Sequence, residues 1–535
     1  MTAQFTQSAL DAGSVVAVIG SGAMGAGIAQ VAASAGHQVI LFDARAGAAA
    51  KAIADIGKLY ARQVEKGRMS SLDAAAASGR LRVADLLADV RDCALVVEAI
   101  VEDLEVKRAL FAELETLVAD GCILATNTSS ISVTAIGAQL RRPQRLVGMH
   151  FFNPVPLMAL VEVVKGLATE QQVADTVFAI ARAWGKHPVH ARSTPGFIVN
   201  RVARPFYGEA LRLLSEQACD PATLDAIMVD AGGFRMGPFA LMDLIGHDVN
   251  FSVTRSVHQA YFGDARFTPS VLQQEMVAAG FLGRKTGRGF YRYGDGDSNV
   301  KPAPHTEAAR TRPESVSLSI EPGSAPGIHD AVTGPIAQRL AAAGFSVAHR
   351  TPAHGTAEHE APAFHCNGAA IFLTNGRSAT ARADANQHAD TVLFDLALDY
   401  AGATRIALAR ADQCSEAAYD AAVGLFQAAG FAVSRIDDVP GMVVMRTVAM
   451  LANEAADAVN QGVCSAAAVD LAMQKGVNYP RGPLAWTDAV GVRQVVTVLS
   501  NLAASYGEER YRVAPLLRRK LANLALTPAG ARFHA

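Results

Sequence analysis

Residues 15–43, VVAVIGSGAMGAGIAQVAASAGHQVILFD, admit very few local folds. Val15–Ile19 is a β-branched run, Gly20, Gly22 and Gly25 follow as GxGxxG, Ala26–Ala35 has the small residues of a close-packed helix, and Val39–Phe42 is a second apolar run. Gly20 permits a sharp turn out of the first strand, Gly22 lets a pyrophosphate approach the backbone, and Gly25 lets the helix pack closely on the sheet. The helix N-terminus then offers free N–H groups and a positive dipole end to phosphates. Asp43 closes the second strand about 20 residues on, where a carboxylate accepts both hydroxyls of an adenosine ribose. A bare glycine turn would need none of this context, so the stretch predicts a dinucleotide-binding βαβ unit. An acid at position 43 repels a 2′-phosphate and favours NAD over NADP, although Arg45 stands close by.

The chain has 535 residues, enough for three or four domains. With 50% hydrophobic and 18% charged residues it reads as globular, and a formal net charge of −2 gives no reason to expect nucleic acid or an anionic membrane as partner. No apolar run reaches membrane-spanning length, and residues 1–12 look like a disordered leader without the features of a signal peptide, so a cytoplasmic location is expected. Cys93, Cys122, Cys219, Cys366, Cys414 and Cys464 are scattered without CxxC spacing, which argues for reduced, buried thiols and against a disulfide framework or a metal site.

Along the chain, helices are expected over residues 46–66, 102–118 and 170–184, and strands over 93–98, 122–127, 146–150 and 188–189. Lys51 and Lys58 share a helix face, as solubilising charges or as contacts to a phosphorylated ligand. Thr128, Ser129 and Ser130 follow a strand end, where ligands gather in a doubly wound sheet. In RLVGMHFFNPVPLMALVEVVKG, His150 closes a strand, Asn153-Pro154-Val155-Pro156 makes a turn, and Glu162 sits among Val161, Val163 and Val164. A carboxylate in so apolar a setting needs a partner, and His150, on the preceding strand, is within reach.

The pattern changes near residue 192. From Thr194 to about Ala279 it is all-helical, closing with GRKTGRGFY, after which a proline-rich stretch reads as linker. α/β character then returns without a glycine loop, with strands at 369–373, 392–398 and 405–409 and a helix at 416–429. The last section repeats the helical one: Glu209 with Glu454, Asp225 with Asp470, Gly237 with Gly482 and Asp243 with Asp488 are all 245 apart, as 454 − 209 and 488 − 243 show. Two copies of one helical unit on one chain predict a pseudo-dimer in cis, with further homo-oligomerisation open. The expected parts are thus a leader (1–12), a Rossmann-type α/β NAD-binding domain (13–192), a helical domain (193–293), a linker (294–335), a degenerate Rossmann-like segment (336–438) and a second all-α domain (439–535).

In GSGAMGAGIAQ, VVEAIVEDLEVK, TNTSS, GMHFFNPVPLMALVEVV, TPGFIVNR, MGPFALMD and GRKTGRGFY the chain resembles the 3-hydroxyacyl-CoA dehydrogenase family over residues 13–293. With its duplicated helical domain it is similar to the longer bacterial members that serve phenylacetate degradation and act on 3-hydroxyadipyl-CoA. The resemblance implies NAD-dependent, reversible oxidation of (3S)-3-hydroxyacyl-CoA to 3-oxoacyl-CoA, with 3-hydroxyadipyl-CoA or a short-chain ester such as 3-hydroxybutyryl-CoA as substrate, in aromatic or fatty-acid degradation. It makes His150 the catalytic base, Glu162 its orienting acid, and Ser129 and Asn200 the holders of the substrate oxygen. NAD contacts fall on Gly20, Gly22, Met24, Gly25, Asp43, Glu102, Lys107, Ser129, Asn153 and Lys285. Lys66 falls on the CoA phosphates, while Leu59 stands where some relatives place a CoA-contacting serine.

The chemistry fits these residues on its own terms. Oxidising a secondary alcohol requires a hydride acceptor and a base for the hydroxyl proton, and histidine takes and returns that proton near neutral pH. Dipoles from Ser129 and Asn200 would stabilise the developing carbonyl oxygen. Two rivals are a dehydrogenase of free hydroxy acids and a non-catalytic, crystallin-like relative. CoA-ester dependence separates the first, and retention of Ser129, His150, Glu162 and Asn200 together argues against the second.

Overall fold

The structure is a computed structural model that describes residues 10–11, 13–294, 302–319, 328–350, 362–524 and 526–534. Nearly all of the expected leader, and residues 295–301 and 320–327 of the expected linker, lie outside the described residues. Two compact units emerge: residues up to Arg201 with Gln461–Val477, and Val202–Asn460 with the chain from Asn478 onward.

The first unit is built on an eight-stranded sheet of β1 (Val15–Ile19), β2 (Gln38–Phe42), β3 (Leu81–Val83), β4 (Leu95–Glu98), β5 (Ile123–Thr126), β6 (Leu146–Phe151), β7 (Leu160–Lys165) and β8 (His187–Arg192). Its order is β3-β2-β1-β4-β5-β6-β7-β8, so the order in which strands are added reverses between β1 and β4, and there the carboxyl ends of the strands leave a crevice for a ligand. The strands from β3 to β6 run parallel; β7 is antiparallel to β6, and β8 parallel to β7. Helices cover the sheet, so β4, β5 and β6 are buried along their whole length and are apolar except near their carboxyl ends, at Glu98, Thr126 and His150. The helix Ser71–Gly79 and β3 carried no sequence expectation. β3 is a three-residue edge strand with Arg82 at its centre, too short and polar for a period-two signal.

The second unit carries a mixed sheet of β9 (Val316–Ser319), β10 (Val347–Arg350), β11 (Phe364–Cys366), β12 (Ala369–Leu373), β13 (Thr391–Phe394), β14 (Arg405–Arg410) and β15 (Ala432–Arg435), in the order β10-β9-β11-β12-β13-β14-β15. The 245-residue offset extends into this sheet: β13, β14 and β15 begin 245 residues after β6, β7 and β8, since 391 − 146, 405 − 160 and 432 − 187 are equal. The expected linker is corrected here. It contains β9, which pairs with β10 and β11, and the start of the helix Ile328–Ala342, with Pro335 inside it. Burial of Val332, Ile336 and Leu340 outweighs the local cost of the proline, a tertiary gain that composition does not reveal.

The helical repeat also keeps its register. Pro221–Asp230, Pro238–Ile245 and His247–Ala260 begin 245 residues before Ala466–Gly476, Pro483–Val490 and Val492–Tyr506. Each unit incorporates the corresponding helix from the other copy. In the first unit Ala466–Gly476 packs on β7 and β8, and a Cβ on Gly476 would lie 2.6 Å from Leu160 Cδ2. In the second unit Pro221–Asp230 packs on β14. The Arg192 amide donates to the Val463 carbonyl at 2.9 Å in the first unit, and the Asp437 amide to the Ala218 carbonyl at 2.8 Å in the second. These are one contact made twice with the roles of the copies exchanged, since 437 − 192 and 463 − 218 are both 245. Among the described residues, no helix is long and apolar enough to cross a membrane.

Candidate active site

The glycine loop is sterically obligatory at two of its three positions. Gly20 has φ +101°, and a Cβ there would meet the Ala99 carbonyl oxygen at 2.5 Å; a Cβ on Gly25 would meet the Gly20 oxygen at 1.8 Å. A Cβ on Gly22 would meet nothing within 4 Å, so protein packing gives no reason for that glycine, whereas a ligand lying against the backbone does. Gly22 caps the helix Ala23–Ser34 without a side-chain hydrogen bond, which leaves the first-turn amides to an anion. Met24 is half-buried against the core. Asp43 follows β2 and accepts from Ser21 N at 2.8 Å, Ser21 Oγ at 2.6 Å and Arg45 Nε at 3.1 Å. The Arg45 hydrogen bond, aided by Ser21 and opposed by partial burial, holds its carboxyl well below the ordinary range. Open backbone at Gly22, an uncapped helix start and an ionised strand-end acid suit the pyrophosphate and ribose of a dinucleotide.

His150 and Glu162 face each other across the antiparallel β6–β7 pair. Nδ1 of His150 lies 2.6 Å from Glu162 Oε2, while Oε1 of Glu162 accepts from the Ile198 and Val199 amides at 3.0 and 2.9 Å. Glu162 is fully buried, and three donors satisfy the carboxylate that its apolar strand left in need of partners. A proton on Nδ1, shared with Glu162, leaves the lone pair of Nε2 as the basic site. The rings of Phe152 and Phe197 flank the imidazole, with centroids 4.5 and 5.7 Å away. Asn127 Oδ1 accepts from the Phe151 amide at 2.8 Å and ties the end of β5 to the end of β6.

Asn200 comes to Ser129, its Nδ2 donating to the Ser129 carbonyl at 3.4 Å, so the two residues expected at the substrate oxygen are neighbours. Glu102 Oε1 accepts from Thr128 Oγ1 at 2.7 Å, Ser129 N at 2.9 Å and Ser130 N at 3.1 Å, and so shapes the TNTSS turn. Burial raises the Glu102 pKa, but the Thr128 hydrogen bond, Lys107 and the turn donors outweigh it and bring it below the ordinary value.

Lys107, expected at the cofactor, is held by two acids. It is fully buried, and its Nζ lies 2.5 Å from Glu98 Oε1 and 3.3 Å from Glu102 Oε2. Glu98 is the acid that sequence reasoning passed over: it closes β4 and also accepts from Thr126 Oγ1 at 2.7 Å and the Ile100 amide at 2.8 Å. Its signal was in VVEAIVE, an acid inside an apolar strand, the same signal that singled out Glu162. Asn153 is exposed in the turn after β6, and Lys66 is exposed at the end of the helix Ala48–Glu65. Lys51 and Lys58 both pair with Asp55, at 2.8 and 2.7 Å, and Leu59, next to Lys58, is partly exposed. Lys285 belongs to the second unit, where its Nζ donates to Asp248 Oδ1 at 2.5 Å.

Comparison with known proteins identifies the family. Residues 15–194 match the NAD binding domain of 3-hydroxyacyl-CoA dehydrogenases, residues 196–293 and again 441–532 match the C-terminal domain of that family, and residues 371–440 match the reduced Rossmann-fold domain of 3-hydroxybutyryl-CoA dehydrogenase. A 3-hydroxyadipyl-CoA dehydrogenase of Escherichia coli is 42% identical over 505 residues, 94% of this chain and 97% of that protein. A probable 3-hydroxybutyryl-CoA dehydrogenase of Bacillus subtilis is 40% identical over 278 residues, 52% of this chain and 96% of its own. The crystal structure of a 3-hydroxybutyryl-CoA dehydrogenase from Escherichia coli K12 superposes with a TM-score of 0.84 at 40% identity, covering 96% of this chain and 99% of that one. The chain belongs to the 3-hydroxyacyl-CoA dehydrogenase family.

Proposed function

We propose that this NAD-dependent dehydrogenase interconverts (3S)-3-hydroxyacyl-CoA and 3-oxoacyl-CoA esters of short chain, 3-hydroxyadipyl-CoA or 3-hydroxybutyryl-CoA, in the breakdown of aromatic or fatty acids. The observation that carries the reading is the His150–Glu162 pair, with Nδ1 committed to the carboxylate and Nε2 left to act. In oxidation His150 Nε2 takes the substrate hydroxyl proton, and Glu162 holds the ring in orientation and stabilises the imidazolium. Bound nicotinamide supplies the hydride acceptor. Ser129 and Asn200 hold the oxygen as it becomes a carbonyl, and in the reverse direction His150 returns the proton. Glu102, fixed by Lys107, keeps the Ser129 turn in place, so Lys107 acts as a positioning residue.

Gly20, Gly22 and Gly25 form the pyrophosphate cradle in this reading, Asp43 takes the ribose, and Met24, Glu102, Lys107, Ser129 and Asn153 border the cofactor. Lys66 meets the CoA phosphates. The second half is architectural, and the chain functions as a pseudo-dimer with one active site. The length of the Escherichia coli relative, which spans both helical copies, supports the adipyl ester as the first substrate to try. The test is NADH consumption with 3-oxoadipyl-CoA, acetoacetyl-CoA and the corresponding free 3-oxo acids. Turnover of the CoA esters alone is expected; equal turnover of the free acids would overturn the reading.

A further inference from the structure

Asp43, just after β2, is crowded with donors. Its Oδ2 accepts from Ser21 N at 2.8 Å, Ser21 Oγ at 2.6 Å and Arg45 Nη2 at 3.2 Å, and its Oδ1 accepts from Arg45 N at 3.0 Å and Arg45 Nε at 3.1 Å. An ionised carboxylate has about four lone-pair sites, so five donors leave none for the two hydroxyls of a ribose. The Asp43 side chain is 9% exposed, whereas that of Arg45, which forks onto both its oxygens, is 75% exposed.

The five donors are not equally fixed. Ser21 N and Arg45 N belong to the backbone, and the Arg45 carbonyl accepts from Ala48 N at 3.1 Å, which holds the turn into the helix Ala48–Glu65. The guanidinium has no such anchor: among the described residues its hydrogen bonds go to Asp43 alone. An exposed ion pair is weak, because water screens it and a long side chain must be held in one geometry, so the guanidinium is the donor that can leave. It gives up two hydrogen bonds as a ribose diol brings two. The first turn of the helix Ala48–Glu65 carries no acid, so the released guanidinium finds no second carboxylate there.

We propose that Arg45 is a specificity-determining residue for the cofactor: its guanidinium leaves Asp43 when an adenosine ribose binds, and takes the 2′-phosphate when the ribose carries one. The proposal rests on Asp43 as the ribose acid in the reading above. With a plain ribose the two hydroxyls replace Nε and Nη2 on the carboxylate, so Arg45 competes with NADH. With a 2′-phosphate one hydroxyl is lost and Asp43 repels the group, while an arginine beside it offers the paired donors that a phosphate accepts. Arg45 therefore narrows the preference that Asp43 creates.

The test measures dissociation constants of NADH and NADPH by fluorescence titration of the full chain, at one pH and ionic strength. Arg45→Met, Arg45→Lys, Asp43→Ala and the double variant Asp43→Ala/Arg45→Met are compared with the wild type; at so exposed a position the arginine changes do not threaten folding. In Arg45→Met the ratio of the NADPH to the NADH constant is expected to rise at least about tenfold, from loss of charge-assisted hydrogen bonds to the phosphate, and to rise less in Arg45→Lys. NADH itself should bind Arg45→Met more tightly than the wild type, by up to about fivefold, because a weak competitor for Asp43 is gone. That gain should be absent when the arginine is removed from Asp43→Ala. A ratio that is unmoved or falls in Arg45→Met overturns the proposal, as does NADH binding weakened by that change, which would make Arg45 a direct contact of NADH. Wild type without measurable NADPH binding overturns it too. An Asp43→Ala ratio equal to that of the wild type would instead refute Asp43 as the ribose acid, and the proposal would fall with that reading.

Discussion

Asp395 stands 245 residues after His150 but makes the contacts of Glu162. Glu162 accepts from the Ile198 and Val199 amides; Asp395 accepts from Val443 and Val444, the same two positions in the repeat, at 3.0 and 2.7 Å, and from Met445 at 3.0 Å. The position that matches Glu162 is Ala407, whose carbonyl accepts from the Asp395 amide at 3.1 Å. The second copy has kept the carboxylate that anchors the start of its helical domain, moved it one strand over, and lost the histidine. The turn itself persists: Phe197 and Met442, also 245 apart, have φ values of +47° and +56°.

His150→Ala and Glu162→Gln should each lower kcat far more than they weaken NADH binding. General acid–base groups contribute on the order of 10² to 10⁴-fold, so a His150 variant with near-normal turnover would refute its role as base. Stopped-flow turnover beside fluorescence titration of NADH separates the two effects.

NAD(H) should be preferred over NADP(H), and Asp43→Ala should relax that preference by weakening NAD and removing the repulsion of a 2′-phosphate. Because Arg45 and Ser21 hold the Asp43 carboxyl below the ordinary range, it stays charged throughout mildly acidic and neutral pH, so the preference should sharpen only as the 2′-phosphate takes its second charge at about pH 6. The ratio of kcat/KM values for NADH and NADPH at several pH values measures this. A wild-type enzyme indifferent to the 2′-phosphate would remove Asp43 from the ribose.

Asp395 should leave a signature in stability. Burial, outweighing four backbone N–H donors, pushes its pKa up to about 6, above the unfolded value near 4. Between those values the folded chain binds the extra proton, so the stability this group contributes is greatest below about pH 4 and falls as pH rises through 6. Relative to Asp395→Asn, which cannot titrate, the wild type should therefore lose part of its advantage in Tm between pH 4.5 and 7. An advantage that grows over that range would mean the four donors dominate.

One NADH per chain is expected, since the second sheet has no glycine loop before it and Met445 stands opposite Asn200. A chain ending near residue 295 would also lose the helix Ala466–Gly476 that covers β7 and β8, and should aggregate or dimerise through that apolar surface. Calorimetric titration and light scattering read the two outcomes. Two equivalent sites would contradict the first, and a truncated chain that stays monomeric and fully active would contradict the second.

Local chemistry was enough for the core of the site. A glycine loop between strand and helix, an acid at the next strand end, and a carboxylate stranded among valines each announce a need within a few residues, and His150 lay on the adjacent strand to meet it. The repeat was equally plain, because a helical unit copied without insertion keeps a constant offset. What the sequence left open are pairings whose partners lie far along the chain. Glu98 reads only as the end of a buried strand until Thr126 from the next strand, and Lys107, are found against its carboxylate. Residues 316–319 read as linker until β10 and β11 supply hydrogen-bond partners on both sides. The exchange of helices between copies is likewise decided only once tertiary packing fixes which buried groups meet. Burial makes a polar group's need absolute, but which element satisfies it depends on the packing of the whole fold.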